Sequence, residues 1–119
     1  MKPHNCRGLI TIENYRKLIG DKVVERIRAK AEPLKNLHLT NINSTYYGGG
    51  VSVLLSSMTT LMNCLGIETG WRIIQGSPDF FGITKKMHNA LQGDELNLSD
   101  RKKEIYENVI YQNAIRNHL

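Results

Sequence analysis

Cysteine is scarce in this 119-residue sequence, and long apolar runs are absent from it. The two cysteines, Cys6 and Cys64, suggest neither a disulfide framework nor a paired metal motif, so we expect a reduced, cytoplasmic protein. Residues 1–7 lack the apolar core of a signal peptide. No apolar run approaches the roughly 20 residues that cross a bilayer, so we expect no membrane partner.

Clusters of metal-binding or paired acidic residues are also missing from the sequence. His4, His38 and His118 have no metal-ligand spacing, and Asp79 and Glu104 form no evident acid/base pair. We therefore expect no bound metal and no cofactor, and the sequence assigns no catalytic residue.

Positive charge is in modest excess, with 16 Lys and Arg against 11 Asp and Glu. In the first helical stretch the basic residues alternate with acidic ones, which is typical of solvated helix faces. Aromatic residues do not interleave with a basic face, so we expect no nucleic-acid partner. With 40% hydrophobic and 23% charged residues, the chain has the composition of a soluble globular domain.

Hydrophobic periodicity predicts an α/β chain. A helical region at 11–31 breaks at Gly20, and Asp21 is expected to cap its second half. The elements that follow are a strand at 37–42, a helix at 51–65, a strand at 69–75, and helices at 80–91 and 101–115. A strand, helix and strand in succession predict a βαβ unit with parallel strands. We interpret residues 1–119 as a single incomplete domain, made of an N-terminal helical segment at 1–35 and the start of an α/β domain at 36–119.

Helix and turn signals sharpen this outline. Gly66 is expected to end the long helix, and Ser77 is expected to cap the next one, with Pro78 at its first position. The predicted apolar face of the long helix consists of Val51, Leu54, Leu55, Met58, Leu61, Met62 and Leu65.

The most informative segment is the glycine turn, Gly48-Gly49-Gly50, between the first strand and the long helix. Glycines let a ligand approach the backbone closely, and free N–H groups at a helix start favour a phosphate or diphosphate. The spacing matches neither G-x-G-x-x-G nor a P-loop. A tight turn without a ligand is the alternative interpretation.

Three segments, 43–51, 70–81 and 83–93, resemble the opening of trehalose-synthesising glycosyltransferases, and the likeness extends from about Tyr15 onward. This resemblance implies the retaining GT-B architecture, in which two Rossmann-like domains face each other across a cleft. The N-terminal domain holds the acceptor sugar and the C-terminal domain holds the nucleotide-sugar donor. We expect this chain to be the start of the N-terminal domain.

The resemblance also implies roles for individual residues. Gly48, Gly49, Gly50 and Val51 would bind the donor diphosphate. The acceptor sugar would lie near Tyr46, Trp71, Arg72, Lys85 and His88. Trp71 could instead belong to the core, and His88 could be packed or solvent-facing. Gln75 stands where a basic residue is expected in close relatives.

The implied reaction is transfer of glucose from a nucleotide-glucose to glucose, giving trehalose. A phosphorolytic relative, or a non-catalytic module that binds a sugar phosphate or a protein, is the alternative. We expect the chain alone to be inactive, and Gly49→Val to weaken donor binding with little loss of fold. Because two strands cannot cover the predicted helices, we also expect a homo-oligomer, in the form of a two-fold dimer.

Overall fold

The computed structural model describes residues 10–119. The chain divides into two compact units, Met1–Ile73 and Ile74–Leu119. The predicted division into 1–35 and 36–119 stays a prediction.

The first unit opens with two short helices, α1 (Ile12–Ile19) and α2 (Asp21–Ala31), and a 3₁₀ turn follows at Glu32–Leu34. Gly20 separates the helices with a φ of 81°, which confirms the predicted break. The prediction that Asp21 caps α2 was wrong. Gly20 holds the cap position, and the Asp21 carboxylate instead accepts a hydrogen bond of 2.8 Å from Arg16 Nη1.

A charged network joins α1 to α2. Arg16 donates to Glu13 at 2.7 Å and to Glu25 at 3.0 Å, and Arg28 also donates to Glu13. Hydrogen bonds from Arg16 and then Arg28 lower the pKa of Glu13 to about 2. The network is exposed to solvent, so salt will weaken it.

The next elements form the predicted βαβ unit. Strand β1 (His38–Asn43) and strand β2 (Glu68–Ile73) pair in parallel, from His38 opposite Glu68 to Asn43 opposite Ile73. Helix α3 (Gly49–Cys64) connects them and packs against β2. The α/β class and the parallel pairing are confirmed, and the sheet has two strands among the described residues.

Helix α3 ends as predicted, and the face predicted to be buried in its first turns is right for Leu55 but not for Val51 and Leu54. Gly66 has a φ of 89°, and the N–H groups of Gly66 and Ile67 bond back to the carbonyls of Asn63 and Met62, each at 3.0 Å. In the first turns of α3, however, Ser52 and Leu55 are buried. Val51 and Leu54, predicted for the apolar face, are 59% and 60% exposed.

One asparagine fixes the end of α3 to the start of β2. Asn63 Nδ2 donates to the carbonyl of Thr69 at 2.8 Å, and Asn63 Oδ1 accepts from the Thr69 N–H at 3.1 Å. The side-chain amide thus pairs with both backbone groups of one strand residue, as a neighbouring strand would.

The second unit contains α4 (Pro78–Leu91) and α5 (Asp100–Asn117), which pack on each other. The side chain of Ser77 caps α4 and Pro78 opens it, as predicted. Phe80 is buried and stacks on Tyr106 with ring centroids 5.9 Å apart. Asn113 on α5 holds Gln75 through both backbone groups, at 2.7 and 2.8 Å.

Two further expectations concern the chain as a whole. The prediction of unpaired cysteines was wrong for Cys64, which is disulfide-bonded, and Cys6 lies outside the described residues. Among residues 10–119, none of the helices combines the length and the apolar character needed to cross a bilayer.

Replacing Glu13 with Gln should flatten the pH dependence of unfolding of the first unit. Because the pKa of Glu13 falls from its ordinary value of 4.5 to about 2, the stabilisation is complete above pH 4.5 and is lost as the pH falls through 2. The variant lacks this contribution throughout. Urea unfolding from pH 5 to pH 2, followed by circular dichroism, measures the difference. Glu104→Gln is the control, since Glu104 has no ion pair in the described part of the chain. Equal pH slopes for wild type and Glu13→Gln would contradict the network's role.

Candidate functional site

The candidate site lies where β1 ends and α3 begins. Because β1 and β2 are parallel, their carboxyl ends meet at the same edge of the sheet, and Asn43 stands opposite Ile73 there. Residues 44–48 lead from this edge into α3. In open α/β sheets, this edge is the usual position of a ligand.

The glycine turn adopts a backbone that other residues rarely adopt. Gly48 has φ 74° and ψ 149°, and Gly49 has φ 76°. The prediction of at least one positive φ is confirmed. A Cβ placed on Gly48, Gly49 or Gly50 would meet none of the described atoms within 4 Å. The turn is therefore exposed, and a ligand can reach its backbone.

The N terminus of α3 has no side-chain cap within residues 10–119, and Gly48 holds the cap position. The first N–H groups of an α-helix have no partner within the helix, and they carry the positive end of its dipole. At this position they are available to an anionic ligand.

Ser52 stabilises the turn through hydrogen bonds to its backbone, a role that the sequence did not predict. Its buried Oγ donates to the carbonyls of Gly48, at 2.5 Å, and Gly49, at 3.1 Å. A serine four residues after Gly48 has the spacing for this back-bond, and that spacing is the signal that could have identified it. The bond holds both carbonyls toward the helix.

Two aromatic side chains, Tyr46 and Trp71, contact each other near the turn. The rings of Tyr46 and Trp71 meet edge to face, with centroids 4.9 Å apart and planes at 74°. Trp71 is half-buried and Tyr46 is half-exposed. The structure thus brings together two of the residues expected at the acceptor sugar.

Arg72, another predicted acceptor residue of the first unit, does not join this pair. Arg72 follows Trp71 in β2, so its side chain points to the opposite face of the sheet. Lys85 and His88 belong to the second unit, where they lie exposed on α4 three positions apart. His88 Nε2 is 3.2 Å from Gln92 Nε2. Among residues 10–119, no group of three or more His, Cys, Asp or Glu is arranged to hold a metal ion.

The described residues thus form an α/β structure in which a glycine-rich turn opens the connecting helix of a parallel βαβ unit. The family model described as "Trehalose synthase, N-terminal domain" matches residues 41–119. The chain belongs to this family.

Individual relatives agree with the family match. The chain is 44% identical over 104 residues to a trehalose synthase of Pyrococcus furiosus, covering 87% of this chain and 25% of the relative. A trehalose synthase of Rubrobacter xylanophilus is 34% identical over 100 residues, covering 84% and 24%. A trehalose phosphorylase of Pleurotus pulmonarius is 28% identical over 110 residues, covering 88% and 15%. The chain thus spans about a quarter of the length of the trehalose synthases it matches.

The backbone corrects the expectation for Gly49→Val. A β-branched residue at a φ of 76° is strained wherever its side chain points, at a cost of roughly 1–2 kcal/mol. The fold would therefore lose stability along with any loss of binding. At Gly50, φ is not in the left-handed region, so a substitution there can test ligand binding without straining the backbone.

Gly50→Val should weaken binding of inorganic pyrophosphate about tenfold or more, because its side chain stands beside the uncapped N–H groups. The free energy of unfolding should change by less than about 1 kcal/mol, since valine is tolerated in a helix at least as well as glycine. Titration calorimetry and urea unfolding measure these quantities. Gly82→Val is the matched control, because Gly82 is also helical, exposed and open around its missing Cβ. Equal pyrophosphate affinity in both variants would contradict the assignment of the turn.

Proposed function

We propose that this chain acts as the beginning of the N-terminal domain of a retaining GT-B glycosyltransferase that transfers glucose from a nucleotide-glucose to glucose, forming trehalose. The glycine turn carries this proposal, because it opens α3 with uncapped N–H groups at the carboxyl end of β1. Relatives named trehalose synthase and trehalose phosphorylase support the linkage formed. In this proposal the nucleotide-glucose is a substrate, no resident cofactor takes part, and the protein is cytoplasmic.

The turn can assist transfer by stabilising charge. When the bond between glucose and the diphosphate breaks, negative charge builds up on the departing diphosphate. N–H groups of Gly49, Gly50 and Val51 and the dipole of α3 would stabilise that charge without having to reorganise. Ser52 contributes by holding the carbonyls of the turn away from the anion.

The aromatic pair suits the other substrate. A sugar ring presents C–H groups on one face, and the electron-rich face of an aromatic ring attracts them. We assign Tyr46 and Trp71 to the acceptor glucose on this ground. Arg72, Lys85 and His88 stay predicted acceptor residues, to be tested one by one by substitution.

A non-catalytic module that binds a sugar phosphate is the second candidate. The glycine turn and the aromatic pair, which support both candidates equally, lie in the first unit. Only a measurement of transfer separates this candidate from the first.

A chimera provides that measurement. This chain would replace the matching segment, 108 aligned residues, of the Pyrococcus horikoshii trehalose synthase. The chimera should form trehalose from nucleotide-glucose and glucose, whereas the chain alone should form none, because transfer requires both substrates to be held in position. The same chimera with Gly50→Val is the control and should be slower. A folded chimera that binds glucose but forms no trehalose would favour the binding module. Trehalose formation by the chain alone would contradict the two-domain mechanism.

We also propose a two-fold dimer as the form in solution. The sheet has two strands among the described residues, and we expect α3 and α5 to form the dimer contact. Both helices carry exposed apolar side chains: Val51, Val53, Leu54, Tyr111 and Ile115. Sedimentation at micromolar concentration should give a dimer, and Leu54→Glu should shift it toward monomer. Leu91→Glu, at another exposed leucine, is the control. A compact wild-type monomer that unfolds cooperatively would contradict the proposal.

A further inference from the structure

Asn43, the last residue of β1, makes the shorter of the two side-chain hydrogen bonds between the strands. Its Oδ1 accepts a hydrogen bond of 2.7 Å from the indole Nε1 of Trp71 in β2. The two residues lie 28 positions apart in sequence and are both partly buried. No role for Asn43 follows from the sequence patterns that identified the turn.

The strand register explains what this bond does. Trp71 stands opposite Asn41, so Asn43 lies two residues closer to the carboxyl edge on the same face of the sheet. The bond therefore draws the indole along the strands toward the edge where the glycine turn begins.

Two contacts then fix the ring. Asn43 accepts the hydrogen bond from the indole N–H. The ring of Tyr46, which lies in the segment leading into α3, contacts the indole with an angle of 74° between the ring planes. With its one polar atom paired, the indole presents an oriented apolar surface next to the turn. A surface fixed before the ligand arrives loses less conformational entropy on binding.

We propose that Asn43 is a positioning residue for the acceptor sugar, acting through the indole of Trp71 rather than by touching the sugar. This inference rests on the proposed role of Trp71 at the acceptor site. A purely structural role for the same bond would lower the free energy of unfolding of Asn43→Leu and leave the sugar affinity of the folded protein unchanged.

A double-mutant cycle with D-glucose distinguishes the two roles. Asn43→Leu removes the acceptor oxygen, Asn43→Asp retains one, and Trp71→Phe keeps an aromatic ring but removes the N–H. Dissociation constants for the full chain are measured by NMR titration, and urea unfolding establishes that each variant is folded. Trp71 is the one tryptophan of the sequence, so its fluorescence also reports the indole environment in the Asn43 variants.

Asn43→Leu should raise the dissociation constant about threefold to tenfold, the range of one net hydrogen bond, and Asn43→Asp should restore it. In the Trp71→Phe background, Asn43→Leu should have no further effect. If Asn43→Leu does not fold, the loss of affinity in Trp71→Phe and the wild-type affinity of Asn43→Asp test the same bond.

Two results would overturn the role of Asn43 without affecting that of Trp71. One is unchanged glucose affinity in folded Asn43→Leu. The other is an equal loss of glucose affinity on Asn43→Leu in the wild-type and Trp71→Phe proteins, which would mean that Asn43 contacts the sugar itself. Absence of glucose binding to the wild type, with pyrophosphate still bound, would overturn the acceptor role of Trp71 and this inference with it. The proposed role of the glycine turn would survive that result.

Discussion

Parallel pairing of β1 with β2 is the constraint on which the first unit depends. Parallel strands cannot be joined by a hairpin, so the chain must return along α3 before β2 can begin. The same pairing brings both carboxyl ends to one edge of the sheet. The turn that opens α3, the ring of Tyr46 and the indole of Trp71 therefore meet at that edge although they come from distant parts of the sequence.

The turn itself depends on glycine for two separate reasons. At Gly48, the combination of positive φ and extended ψ is open to glycine alone, so the backbone requires it. At Gly50 the backbone is ordinary and the surroundings are open, so the backbone does not need glycine there. In the proposed function, the close approach of a ligand to the N–H groups supplies the reason for a glycine at this position.

Local signals in the sequence predicted much of the fold. The break at Gly20, the end of α3 at Gly66 and the cap at Ser77 each depend on a few adjacent residues. The face predicted at the start of α3 was right for Leu55 but missed Ser52, whose hydroxyl donates to the Gly48 and Gly49 carbonyls, so that the side chain can be buried at little cost. Asp21 was misassigned because Arg16 binds its carboxylate.

Within the candidate site, the glycine turn could be predicted from the sequence, but the hydrogen bond between Asn43 and Trp71 could not be predicted. That bond exists because of the register between two strands, and hydrophobic patterns do not fix a register to one residue when both strands carry polar side chains on the same face.

The proposed function depends on diphosphate binding by the N–H groups at the start of α3. Amide NMR of the wild-type chain during titration with inorganic pyrophosphate tests it most directly, because each N–H is observed separately. We expect saturable shifts concentrated at Gly49, Gly50 and Val51, with the amides of the exposed α5 surface unchanged. Shifts spread over basic surface residues, with these three amides unmoved, would contradict it.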